Sequence, residues 1–193
     1  MTSSYIALDL ETTGLESRTE KITEAAALKV IDGEIQGRFV TLINPGRAIT
    51  KKITELTGIT DEMVKDAPAM EEVIGELLEF SEGLPLLGHN ISFDYRFLKQ
   101  AAVNSHLECE RDAVDTLLLC RSLMPTDEKK NLSAACAFYH IPQSTAHRAE
   151  ADAESAHLLY RKLCSLYGKE REELFRPHPP VSYTHLRAHE TRG

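Results

Sequence analysis

Five residues, spread over most of the chain, have types suited to acid–base work or to holding hard cations: Asp9, Glu11, Asp94, His147 and Asp152. Asp9 and Glu11 stand two apart at the end of the apolar stretch Tyr5 to Glu11. On a strand, alternate residues share a face, so both carboxylates point one way while Ile6, Leu8 and Leu10 pack the other. An Asp-x-Glu pair is weak alone in a chain with 30 acidic residues, but acids ending a buried strand need a partner, and the Thr12-Thr13-Gly14 turn after them is rich in donors. Asp94 closes His89-Asn90-Ile91-Ser92-Phe93-Asp94, at the start of a helical pattern. Taken alone, that segment reads equally as a helix cap by Asn90 or Ser92, with Asp94 complementing the dipole. Asp152 lies on the stripe Ala149, Ala153, Ala156, Leu159, Leu163, so a carboxylate is aimed inward, and His147 precedes that helix. A core histidine held by a carbonyl is the competing reading for His147.

The elements that must position these groups follow from pattern and turn chemistry. Strands are predicted over Tyr5 to Glu11, Ile22 to Ile31 and Glu34 to Ile43, the last two joined by a tight Asp32-Gly33 turn, giving an antiparallel opening that Asn44-Pro45-Gly46 stops. Two short apolar strands, Leu84 to Gly88 and Ala113 to Thr116, then alternate with helices at Lys51 to Leu56, Met70 to Phe80, Ser92 to Asn104, Thr116 to Leu123, Leu132 to Tyr139 and Arg148 to Tyr167. Three antiparallel strands followed by a β-α-β-α run predict an α/β fold with helices flanking a mixed sheet.

The chain order Asp9, Glu11, Asp94, His147, Asp152, in these strand and helix-start contexts, resembles the DEDDh family of 3′-to-5′ exonucleases, which includes the proofreading exonucleases of bacterial replicative polymerases. The resemblance spans Tyr5 to Tyr167 and extends to Ile53-Thr54-Glu55-Leu56-Thr57-Gly58-Ile59, similar to the loop that wedges into terminal bases, and to Asp115-Thr116-Leu117. It implies an RNase H-like five-stranded mixed sheet and hydrolysis of single-stranded nucleic-acid 3′ ends to nucleoside 5′-monophosphates. DNA proofreading or repair is the first role implied, trimming of RNA 3′ ends the second, and a non-catalytic nucleic-acid-binding module the third. Two divalent cations, Mg²⁺ or Mn²⁺, roughly 4 Å apart are implied as cofactors, because they stabilise both oxygens of an in-line displacement. By resemblance Asp9 bridges both, Glu11 and Asp152 complete one site, Asp94 holds the other, and His147 takes a proton from the attacking water. Thr12, Thr13, Leu15, Leu56, Asn90 and Phe93 match substrate-binding positions, with core packing as the competing role for Leu15, Leu56 and Phe93.

Composition bounds the rest. The length of 193 residues and 42% hydrophobic content fit one domain, expected over 1–168, with 169–180 a linker or native C-terminal segment. A net charge of −8 argues against broad electrostatic attraction to polyphosphate or membrane, though bound cations reverse the local sign at an acidic site. No apolar run approaches the roughly 20 residues of a membrane span and the start lacks signal-peptide order, so a cytoplasmic protein is expected. Cys109, Cys120, Cys136 and Cys164 include no CxxC pair and are expected as buried thiols. Glu172-Glu173-Leu174-Phe175 vaguely resembles a clamp-binding peptide, the only pointer to a polymerase or clamp partner besides the family itself, and reads as well as a helix end. Residues 181–193 resemble a translated sequencing-library adapter, and are expected to be non-native; His185 and His189 are set aside as metal ligands for that reason.

Overall fold

In the computed structural model, which describes residues 1–144 and 147–180, the sheet is built around β1 (Tyr5–Thr12). β1 pairs antiparallel with β2 (Ile22–Ile31), which pairs antiparallel with β3 (Glu34–Leu42). The β2–β3 connection is two residues, Asp32 and Gly33, both at positive φ (51° and 83°), the turn whose twist matches its strands. On its other side β1 pairs in parallel with β4 (Leu86–Gly88), and β4 with β5 (Ala113–Asp115), giving the order β3-β2-β1-β4-β5. This is the mixed five-stranded RNase H-like sheet that the sequence implied.

Both faces of β1 are covered, which explains its nearly unbroken apolar run. Tyr5 and Ala7 join Ala26, Leu28, Leu87 and Val114 beneath α7 (Ala149–Tyr167), whose Ala149, Ala153, Ala156, Leu159 and Leu163 are buried. Ile6, Leu8 and Leu10 pack with Ala25, Ala27 and Leu86 against α3 (Met70–Phe80) and α4 (Ile91–Asn104). Each large apolar side chain so buried contributes roughly 1.5 to 3 kcal/mol. α1 (Lys51–Thr57), α2 (Asp61–Val64), α5 (Thr116–Leu123) and α6 (Leu132–Phe138) complete the layers.

The departures from expectation are local. β4 begins at Leu86 because Pro85 has no N–H to give; its carbonyl instead accepts from Ile6 at 2.9 Å. β5 ends at Asp115, whose side chain caps α5 by accepting the Leu117 amide at 2.9 Å. α2 is too short to show periodicity and escapes a sequence reading; Thr60 caps it. Cys109, Cys120 and Cys136 are buried and free, while Cys164 is free but only partly buried. Residues 169–180 pack onto the domain: Phe175, in a 3₁₀ turn, is fully buried against Tyr160, and His178 bridges Ala113 at the edge of β5. The aromatic that a clamp-binding peptide needs to present is therefore inside the core. Residues 181–193, with His185 and His189, lie outside the described residues.

Candidate active site

The end of β1 is where the acids meet. Strand alternation puts Asp9 and Glu11, both half-buried, on the face that α7 covers. Asp152, one turn into α7, comes from above, and one carboxylate oxygen from each of the three lies within 4.8 Å of the others. Asp94, in the first turn of α4 and 4% exposed, stands outside this trio and accepts the Leu10 backbone amide at 2.9 Å. It is thereby fixed to β1 between the two strand acids, while its place in the first turn of α4, with a bond from its own backbone amide, also serves that helix as the dipole reading expects.

Crowding perturbs every member. Burial pushes the Asp9 carboxyl well above the usual range, and Asp94, Glu11, Asp152 and Glu24 push it further. Glu11 is raised to about 8 by burial and by Asp152, Glu24 and Asp94, against a smaller pull from Arg148. Asp94 is raised to about 8 by burial despite the Leu10 amide. Asp152 is raised by burial, while the His147 charge and backbone amide draw it down. Four carboxylates held this close repel one another, and a cation is what relieves them. The oxygen donor set is hard, the kind that suits Mg²⁺ or Mn²⁺, so the residues fit the implied ions.

His147 is exposed, just ahead of α7, in a left-handed conformation (φ 65°), and its charge bears on Asp152. The structure therefore does not make it a core histidine. Leu15 and Leu56 are 83% and 54% exposed, which removes core packing as their role, whereas Phe93 is partly buried and stacks on Phe97 at 5.0 Å. The hydroxyls of Thr12 and Thr13 are occupied within the turn: Thr12 donates to the Gly14 carbonyl at 2.7 Å, and Thr13 donates to Glu20 and accepts from the Lys21 amide. Asn90 stands at the N-cap of α4 but its side chain makes no cap bond, and Ser92 lies inside the helix. Asn90 is left-handed (φ 66°), its N–H bonds Asp115, and its Oδ1 accepts from Ser92 at 3.3 Å.

Sequence reasoning missed the groups that hold these elements in place. Glu24 on β2 is buried and binds Arg148 and the Ala149 amide. Asp115 holds the Asn90 turn. His89 bridges the Thr116 hydroxyl (2.9 Å) and the Lys130 carbonyl (2.7 Å), and burial lowers its imidazole to about 4. The ring nitrogen facing the carbonyl must carry the hydrogen. An acid within the otherwise uncharged stretch 22–28, all of it buried in the fold, was the available signal for Glu24.

Comparison with known proteins agrees with this geometry. DNA polymerase III PolC-type from Halalkalibacterium halodurans is 42% identical over 161 residues, covering 82% of this chain and 11% of that protein. The Bacillus subtilis protein of the same name is 40% identical over 164 residues, 83% and 11% respectively, so the chain spans about a ninth of these relatives. Exonuclease X in complex with 5′ overhanging duplex DNA superposes with a TM-score of 0.66 at 27% identity, covering 87% of this chain and 95% of that one. Escherichia coli Exonuclease I in complex with a dT13 oligonucleotide shares the fold, with a TM-score of 0.76 at 17% identity over 89% of this chain and 43% of its own. The exonuclease family matches residues 6–160, from the first strand through the last long helix, and it is to this family of 3′-to-5′ exonucleases that the chain belongs.

Proposed function

We propose that the domain hydrolyses single-stranded DNA 3′ ends to nucleoside 5′-monophosphates with two divalent cations, in a proofreading or repair role. The observation that carries this reading is the convergence of Asp9, Glu11 and Asp152 within 4.8 Å, with Asp94 fastened to the same strand. Asp9, Glu11 and Asp152 would hold one cation and Asp94, with Asp9, a second. When bound, the ions supply Lewis acidity at the scissile phosphate and acidify the attacking water. His147, exposed at the mouth beside Asp152, accepts that water's proton on an imidazole nitrogen. Leu15 and Leu56, apolar and solvent-facing, offer surfaces on which terminal bases splay and stack. The side-chain NH₂ of Asn90, unpartnered among the described residues, and the ring of Phe93 are left to face the terminal sugar. Thr12 and Thr13 contribute their backbone and the shape of the turn.

DNA is favoured because the PolC-type relatives are DNA polymerases and Exonuclease X was solved on DNA. A polymerase is accordingly the partner this reading implies. The test is to strip the protein with EDTA, restore Mg²⁺ or Mn²⁺, and follow matched single-stranded DNA and RNA oligomers. Metal-dependent release of monophosphates from the 3′ end, faster on DNA, is expected. Preference for RNA would move the role to RNA trimming, and full activity after exhaustive chelation would overturn the two-ion reading.

A further inference from the structure

Glu24 is anomalous. It is the Cα partner of Glu11 across the antiparallel β1–β2 pair, so the two carboxylates share a face, and like charges directly opposite destabilise a sheet. It is 2% exposed and adds to the repulsion on Asp9, Glu11 and Asp152. Yet both its oxygens are occupied by the start of α7. Arg148 Nε donates to them at 3.2 and 3.0 Å, Arg148 Nη2 donates to Oε1 at 2.5 Å, and the Ala149 N–H donates to Oε2 at 3.0 Å. Arg148, at the N-cap position, has no side-chain oxygen with which to cap its own helix, so the cap comes from the sheet.

That arrangement has a geometric consequence. A forked guanidinium and an adjacent amide on one carboxylate fix rotation as well as distance. Asp152 follows Ala149 by three residues, about 4.5 Å of helix rise, and His147 lies two residues before it. We propose that Glu24 is a positioning residue: by clamping Arg148 and Ala149 it sets where Asp152 meets Asp9 and Glu11 and where the chain presents His147. Arg148 cancels its charge, so the clamp adds no net charge to the acid cluster. With both oxygens engaged, Glu24 is not itself a ligand.

The proposal rests on the functional reading above, and the experiment separates the two. Wild type, Glu24→Gln, Arg148→Lys and Arg38→Ala are compared for metal-free melting temperature, Mn²⁺ affinity by titration calorimetry, and single-turnover rate on a single-stranded oligomer at saturating Mn²⁺. Arg148→Lys keeps the charge but loses the fork, and carries the test should Glu24→Gln fail to fold. Arg38→Ala removes an exposed tie from β3 to the same helix, at Glu150 and Glu154, and is the control. The two clamp variants should lose about 10- to 100-fold in Mn²⁺ affinity or rate, the usual cost of a lost supporting partner, with KM for the oligomer little changed. Arg38→Ala should match wild type. Lowered melting temperature with wild-type Mn²⁺ affinity and rate per folded molecule in both clamp variants would show the clamp to be only structural. A wild-type protein that neither binds Mn²⁺ nor cleaves overturns the functional reading and this proposal with it.

Discussion

Two helices, α4 and α7, bring carboxylates to the end of β1, and they begin by similar devices with different fastening. Each is preceded or opened by a left-handed residue, Asn90 at φ 66° and His147 at φ 65°. Neither N-cap residue caps its helix with its own side chain; a buried carboxylate on another element holds the helix start instead. For α4 that acid is Asp115, one of whose oxygens accepts both the Asn90 and Leu117 amides at 2.9 Å, while His89 ties the same turn to Thr116 and Lys130. For α7 it is Glu24, and the tie is an ion pair whose Arg148 side is 38% exposed. The start of α4 is thus a short turn bonded from several directions. The start of α7 is held by the Glu24 clamp and, more loosely, by the exposed Arg38 pair to Glu150, which places the more adjustable side of the site beside His147.

The largest effect should come from the residue both sides share. Asp9→Ala removes the carboxylate proposed to bridge both cations and should reduce turnover to background, whereas the metal-free fold should survive because a repelling buried charge is gone. Oligomer cleavage and a melt in EDTA check both halves. Next is His147→Ala, expected to lower single-turnover rate by roughly 10²- to 10⁴-fold while Mn²⁺ affinity holds. A near-normal rate would remove His147 from the mechanism and leave the start of α7 only the placing of Asp152.

Much of this was legible in the sequence because it follows from local periodicity. Alternation put Asp9 and Glu11 opposite Leu8 and Leu10, the 3.6-residue stripe turned Asp152 inward, and Asp32-Gly33 announced its hairpin. The clamp was not legible, since Glu24 meets Arg148 across 124 residues and its strand, buried without a break from residue 22 to 28, shows no alternation there to mark which acid faces what. The capping expectation for Asn90 holds in position only: Asn90 is the N-cap residue, but its backbone is left-handed (φ 66°) rather than extended, and its side chain makes no cap bond. Leu15 and Leu56 could be core or wedge by type alone, and only their exposure, Leu15 after β1 and Leu56 on α1, removes the core role.

A smaller effect concerns stability against pH without metal. In the unfolded chain Asp and Glu ionise near pH 4, but Glu11 and Asp94 in the folded protein hold their protons to about 8, with Asp9 and Asp152 raised as well. Folding then takes up protons between those limits, so stability is fully present below about pH 4 for these groups and is lost as pH rises towards 8. The melting temperature in EDTA should fall over that window and flatten when Mg²⁺ or Mn²⁺ is added. Asp94→Asn should recover more of the loss than Asp152→Asn, because Asp94 is the more deeply buried. Equal recovery would mean that the α4 and α7 sides of the site are not electrostatically different.

The smallest effect tests how firmly each left-handed residue is held. An L-residue in that region costs about 1 to 2 kcal/mol, a penalty Asn bears more easily than most and Gly escapes. At position 90 the Asp115 bond leaves the backbone no alternative, so Asn90→Ala should be less stable than Asn90→Gly by about 1 kcal/mol in urea unfolding. At position 147 the residue is exposed and its amide bonds the Asp152 side chain of the adjoining helix rather than a remote element, so the chain can relax and the gap between His147→Ala and His147→Gly should be about a few tenths of a kcal/mol. Both His147 variants lose the imidazole, and their single-turnover rates should agree with each other whatever their stabilities. A gap at 147 as large as that at 90 would show the start of α7 to be as rigid as that of α4, and would assign the presentation of His147 to backbone constraint rather than to the Glu24 clamp.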